Sequence, residues 1–122
     1  MTKERRQICL TLTLRDDEAL IREYEDFHKP GNVWPEVLES IRSSGILDMQ
    51  IYRSETLLTM VLTVSESFSF EEKAERDNAN PKVVEWERLM TRFQRADAEA
   101  GAGDKWRLAS NIFDLREHQV TA

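Results

Sequence analysis

Residues 46–64, "ILDMQIYRSETLLTMVLTV", decide the fold. Two runs rich in Ile, Leu, Val, Met and Thr, 46–53 and 56–64, are separated only by Ser54-Glu55. So short a link joins two antiparallel strands as a hairpin, although Ser-Glu is not the Asn-Gly type such turns favour. A hairpin in mid-chain asks what flanks it on each side.

Upstream, "QICLTLTL" (7–14) alternates strictly, with Ile8, Leu10, Leu12 and Leu14 on one side and Cys9, Thr11 and Thr13 on the other. That is a half-buried strand. Asp16 or Asp17 then caps a helix whose apolar stripe is Leu20, Tyr24 and Phe27. Pro30 and Gly31 stop it. Asn32 is placed to cap a second helix, with Pro35 in its first turn and Val37, Leu38 and Ile41 on its apolar side, ending near Gly45. Downstream, 68–78 reads as a short helix. Asn80-Pro81 opens a longer one with the stripe Val83, Trp86, Leu89, Met90 and Phe93. Residues 97–104, "DAEAGAGD", have loop composition, and 106–117 reads as a last strand.

The order is β-α-β-β-α-β, with the first helical region broken in two. It predicts an α+β, ferredoxin-like split βαβ fold: an antiparallel four-stranded sheet with helices on one face. The opposite face keeps Thr, Leu, Val and Met side chains, so a second copy is expected to cover it and form a homodimer. One domain over 1–122, with polar tails at 1–6 and 118–122, fits the length.

Composition removes several function classes. Net charge is −6, and no basic face is evident for a phosphate backbone, so no nucleic acid or acidic membrane is expected as partner. No apolar run approaches the roughly 18 residues that span a bilayer, and "MTKERRQ" leads into a run too short for a signal peptide, so a cytoplasmic placement is expected. Cys9 is the single cysteine; it reads as a small buried residue rather than a nucleophile. The two histidines, His28 and His118, stand in no metal-ligand spacing, and there is no nucleophile elbow, P-loop or dinucleotide fingerprint.

The chemistry concentrates in "EYEDFHKPGNVWPE" (23–36). Tyr24 and His28 are four apart and share a helix face. His28 at a helix C-terminus can be a structural cap favoured by the helix dipole. It can equally be a proton carrier, because imidazole titrates near neutrality. Trp34 lies one tight loop away and can either staple the junction or converge with Tyr24 and His28, while Glu36 suits the N-terminus of the next helix. Trp86 reads as core by its spacing, and Glu87, a quarter turn from it, as a solvated acid or a second polar group. Aromatic faces beside a few directional acceptors suit a sugar.

These residues resemble the L-rhamnose mutarotases. Tyr24-x-x-x-His28-x-Pro30 followed by Trp34-Pro35-Glu36 is similar to that family's Tyr-x-x-x-His-x-Pro and Trp-Pro-Glu. Gly45, Ile51-Tyr52, Leu57-Leu58 and Trp86-x-x-x-Met90 follow in the family's order, over about residues 6–117. The resemblance implies a small dimeric α/β-barrel type protein that needs no cofactor or metal. It implies His28 as proton donor, and Tyr24 and Trp86 as sugar-binding residues. Three positions depart from the family: two extra residues around Gly31-Asn32, Met49 where a sugar-binding tyrosine is usual, and Glu87 where a second tryptophan is usual. A kept acid–base end and a changed specificity end imply anomer exchange on a 6-deoxy-L-hexose, L-rhamnose or its competitor L-fucose. Trp34, Glu36, Met49 and Glu87 complete the expected binding set, with Glu36 or Glu87 the candidates for a second acid–base group. Two other readings stay open: a cofactor-independent monooxygenase-like enzyme on the same architecture, and a sugar-binding protein without catalysis.

Overall fold

The computed structural model describes residues 6–95 and 106–118. The loop expected at 97–104 and most of both expected tails lie outside that range. Strand β1 (Arg6–Thr13) leads to helices α1 (Glu18–Phe27) and α2 (Pro35–Ser43), the hairpin β2 (Ile46–Ser54) and β3 (Leu57–Val64), helices α3 (Phe70–Asn78) and α4 (Pro81–Thr91), and strand β4 (Arg107–Ala109). The sheet order is β2-β3-β1-β4, and every neighbouring pair is antiparallel. This is the expected α+β arrangement.

The alternation in β1 and β3 fixes which face is covered. Leu10 pairs with Met60 and Leu12 with Leu58, so their side chains share one face of the sheet. There Leu12 and Leu58 pack with Leu14, Tyr24, Val37, Trp86, Met90 and Phe93, and Leu58 and Phe93 are each only 1% exposed. A second cluster, Leu10, Ile46, Leu62, Val64 and Phe68, fills the other end of the same face. Arg53, also on the covered face, reaches α1 through Glu25, with Nε to Oε2 at 3.2 Å.

Local side-chain bonds set the helix starts. Asp17 accepts from the Leu20 N–H, Ser69 from Glu72 and Asn80 from Lys82, each satisfying an otherwise orphan donor. Asn32 does not cap α2. Pro35 forces the preceding residue into extended backbone, so Trp34 (φ −61°, ψ 137°) takes the cap position with no side-chain bond. Asn32 instead donates from Nδ2 to the Asp26 carbonyl at 2.6 Å, tying the loop to the end of α1.

Two further expectations are corrected. The hairpin turns on Glu55-Thr56 rather than Ser54-Glu55, with Ser54 opposite Leu57 and Glu55 at φ 55°. From Asp48 onward the shift changes each residue's partner by two, so those residues keep their expected face, whereas a bulge between Ile46 and Asp48 returns Ile46 to the covered side. The final run is not one strand. Only Arg107–Ala109 joins the sheet, against Thr11–Cys9 of β1. Beyond it the Asn111 side chain accepts from the Phe113 N–H at 3.0 Å, and Asp114 caps a short 3-10 turn (Leu115–Glu117). These local bonds compete with the ladder for the same backbone groups.

Gly45 closes α2 with φ 97°, and its carbonyl accepts from the Ser65 N–H at 2.8 Å. A Cβ there would also stand 2.8 Å from Ser65 Oγ. Replacing Gly45 by Ala should therefore lower stability by about 1–2 kcal/mol, read as a lower urea midpoint at unchanged slope.

Candidate active site

Helix α1 presents Tyr24 to the core because Leu20, Tyr24 and Phe27 form its apolar side. One turn later the helix stops, and His28 is its C-cap residue (φ −97°, ψ 0°). The His28 ring therefore lies back over the last turn. Its Nδ1 is 2.7 Å from the Tyr24 carbonyl oxygen. A carbonyl can only accept, so Nδ1 carries the hydrogen and the lone pair is on Nε2. The fold fixes the tautomer without using a carboxylate.

Burial holds the His28 pKa below its usual 6.5, and the hydrogen bond to the Tyr24 carbonyl opposes that shift only in part. At neutral pH the imidazole is mostly uncharged, and Nε2 is a base. The Tyr24 phenol is pushed well above its ordinary value, first by burial and second by the negative charge of Glu87. It stays protonated and can give a hydrogen bond.

Aromatic rings wall the imidazole. Tyr24 and His28 have ring centroids 4.3 Å apart, and His28 meets Trp86 of α4 edge-on at 5.7 Å. Trp34, at the start of α2, meets Trp86 edge-on at 5.2 Å. Phe27 adds a further edge contact to Trp86, and Phe93 packs against both Tyr24 and Phe27. Pro35 and Pro81 begin the two helices that bring these tryptophans together.

Of the residues singled out from sequence, Tyr24, His28, Trp34 and Trp86 thus form one connected cluster, and the Glu87 charge acts on Tyr24. Glu36 is placed elsewhere. It lines a shallow groove of about 220 Å³ with Glu39, Ser40, Ser43, Arg76 and Asn80, between α2 and the α3–α4 junction. Met49 is half-buried on the covered sheet face, packed against the second core cluster, which reaches the first through Ile41 and Trp106. A larger groove of about 590 Å³ runs along α2 past Gly31, Val33, Pro35 and Leu38 and does not include His28.

Sequence reasoning missed Lys82, whose Nζ stands 5.8 Å from the Trp34 ring centroid. The contact joins the starts of two helices distant in sequence, so no spacing signals it. Among the described residues no group of three or more His, Cys, Asp and Glu could hold a metal ion, and no helix is long and apolar enough to cross a membrane.

The model of the L-rhamnose mutarotase family matches residues 7–115. The chain belongs to the L-rhamnose mutarotase family. Among mutarotase relatives, an L-fucose mutarotase of Xanthomonas campestris pv. campestris is 45% identical over 111 residues, covering 91% of this chain and 89% of that one. A UPF0734 protein of Dictyostelium discoideum is 35% identical over 111 residues, with 85% of each chain covered. The crystal structure of an L-rhamnose mutarotase from Formosa agariphila superposes with a TM-score of 0.66 at 14% identity, over 89% of this chain and 97% of that one. At that identity the likeness speaks for the fold alone. Membership makes the protein an isomerase that exchanges sugar anomers.

The sign of the His28 shift can be measured. A group whose folded pKa lies below its unfolded one binds fewer protons when folded, so stability falls as pH drops below 6.5 and levels off below the folded pKa. In a proton NMR titration the His28 ring signal should have its midpoint below 6.5.

Proposed function

We propose that the protein interconverts the α and β anomers of a 6-deoxy-L-hexose, with L-fucose the preferred sugar and L-rhamnose the alternative. The 45% identity to an L-fucose mutarotase favours the first; the family match keeps the second. The observation that carries the reading is a half-buried imidazole with Nδ1 tied at 2.7 Å to the Tyr24 carbonyl and ring contacts to Tyr24 and Trp86.

The chemistry follows from that geometry. Neutral His28 takes the O1–H proton of the pyranose on Nε2. The O1 electrons form the C1 carbonyl as the C1–O5 bond breaks, and its pair goes to O5. The imidazolium returns the proton to O5, since O1 and O5 share C1 and one carrier serves both. Rotation about C1–C2 turns the other aldehyde face to O5, and the same steps run backwards. No atoms or electrons are gained or lost, so no cofactor is needed. The Tyr24 phenol gives a hydrogen bond to a sugar oxygen, and the Trp86 and Trp34 rings take the apolar C–H face and the C6 methyl. Met49 and Glu36 stand outside this cluster and have no part in the proton steps.

Anomer exchange by NMR with L-fucose and L-rhamnose tests the reading. In His28→Ala the rate above the spontaneous background should fall by about 10²–10⁴-fold while the fold persists. Exchange at the wild-type rate would remove His28 from the mechanism. Because the base must be uncharged, the wild-type rate should fall on the acid side only below pH 6.5 and be level above it.

The reading includes a homodimer. Cys9, Thr11, Thr59, Val61 and Thr63 are half-buried on the sheet face that no helix covers. The segment after β4 exposes large apolar side chains, Ile112 by 94% and Leu115 by 72%. One chain thus has an uncovered sheet face of mixed Thr, Val and Cys and an exposed apolar segment, both of which a second copy can cover by symmetry. Light scattering should give about twice the 14.3 kDa of one chain; a monomer would set this aside.

A further inference from the structure

Between α1 and α2 the chain turns back on itself through Asn32. After His28 it passes Pro30 and reaches Gly31, whose φ of 89° is a left-handed conformation that suits glycine. Asn32 then returns to the end of α1 with both of its donors. Its backbone N–H donates to the Lys29 carbonyl at 3.0 Å, and its side-chain Nδ2 donates to the Asp26 carbonyl at 2.6 Å. Asp26 and Lys29 lie on either side of His28 in the chain. One residue thus closes the backbone both before and after the imidazole.

The other bonds across this turn are weaker. The Lys29 N–H also reaches the Asp26 carbonyl, but at 3.3 Å, and the His28 N–H reaches the Glu25 carbonyl at 3.1 Å. The ion pair of Lys29 Nζ with Asp26 Oδ1, at 2.7 Å, spans the same residues but lies largely in water, where such pairs contribute little. The ring itself is tied through Nδ1 to the Tyr24 carbonyl, four residues back in the same helix end. That bond fixes the ring only relative to its own turn, so the turn must be held by something else. We propose that Asn32 is a positioning residue for the acid–base step: by clamping residues 26 and 29 it fixes the backbone that carries His28, and it acts through that backbone rather than through the sugar. This rests on the anomer-exchange reading and adds to it a residue outside the aromatic cluster. Gly31 and Asn32 are the pair by which this loop exceeds the family's motif, so the motif assigns the clamp to neither.

Loss of one neutral hydrogen bond corresponds to about a three- to tenfold effect. With L-fucose and L-rhamnose as probes, Asn32→Ala should lower kcat for the better sugar by about that factor, with KM within about twofold of wild type. Nitrogen NMR of the His28 ring should show the Nδ1–H tautomer giving way to a mixture. Asn32→Asp keeps the size and loses the donor, and should do at least as much. Asn32→Gln keeps the donor and should recover part of kcat. Gly45→Ala is the control for stability alone: it should lower the urea midpoint and leave kcat and tautomer as in the wild type. An unchanged tautomer in Asn32→Ala and Asn32→Asp would overturn the proposal whatever the rate. So would a raised KM at constant kcat, which would place Asn32 in sugar binding. If the wild-type protein accelerates neither sugar, the anomer-exchange reading itself falls, while the tautomer measurement still decides the clamp with no sugar present.

Discussion

The contact on which the rest depends is the meeting of α1 with α4, where Tyr24 and Phe27 of one pack edge-on against Phe93 and Trp86 of the other and its end. Both helices lie on the same face of the sheet, over Leu12 and Leu58. The aromatic layer therefore serves two purposes with one set of side chains. It fills the space between helices and sheet, and its upper edge is the wall of the imidazole. Core packing holds the imidazole, the proposed proton carrier, to a fixed place, which is the condition under which proximity lowers a barrier.

The electrostatics follow from the same layer. Removing His28 from water lowers its proton affinity, and removing Tyr24 from water raises its own. One act of burial thus makes a base of the imidazole and keeps a donor on the phenol. No buried ion pair is required for either effect, since the partner of Nδ1 is a neutral carbonyl. A carboxylate in that place would have stabilised the imidazolium and moved the base toward its charged form.

The element order was legible because each signal in the chain is local. Alternation in 7–14, the caps Asp17 and Asn80, and proline at the first turn of two helices all act within a few residues, and all were found where expected. The misreadings come from competition between two local signals. Asn32 can cap a helix, but Pro35 sets the backbone of Trp34 first, and the side chain of Asn32 goes to Asp26. The run after Ala109 has strand composition, but Asn111 and Asp114 bind their own neighbours. At the site, helical spacing alone joined Tyr24 to His28. It could not tell Glu36 from Glu87, because both lie beside a tryptophan near the same junction. Only the packing of α2 on α4 turns one toward Arg76 and leaves the other near Tyr24.

The hydrogen bond from His28 Nδ1 ends on one of the last carbonyls of α1. The imidazole is thus part of the helix terminus rather than attached to it. When the last turn frays, the carbonyl turns to water and the Nδ1–H tautomer loses the bond that favours it. The orientation and tautomer of the imidazole therefore depend on the stability of a helix end, where local opening comes more easily than in the core strands.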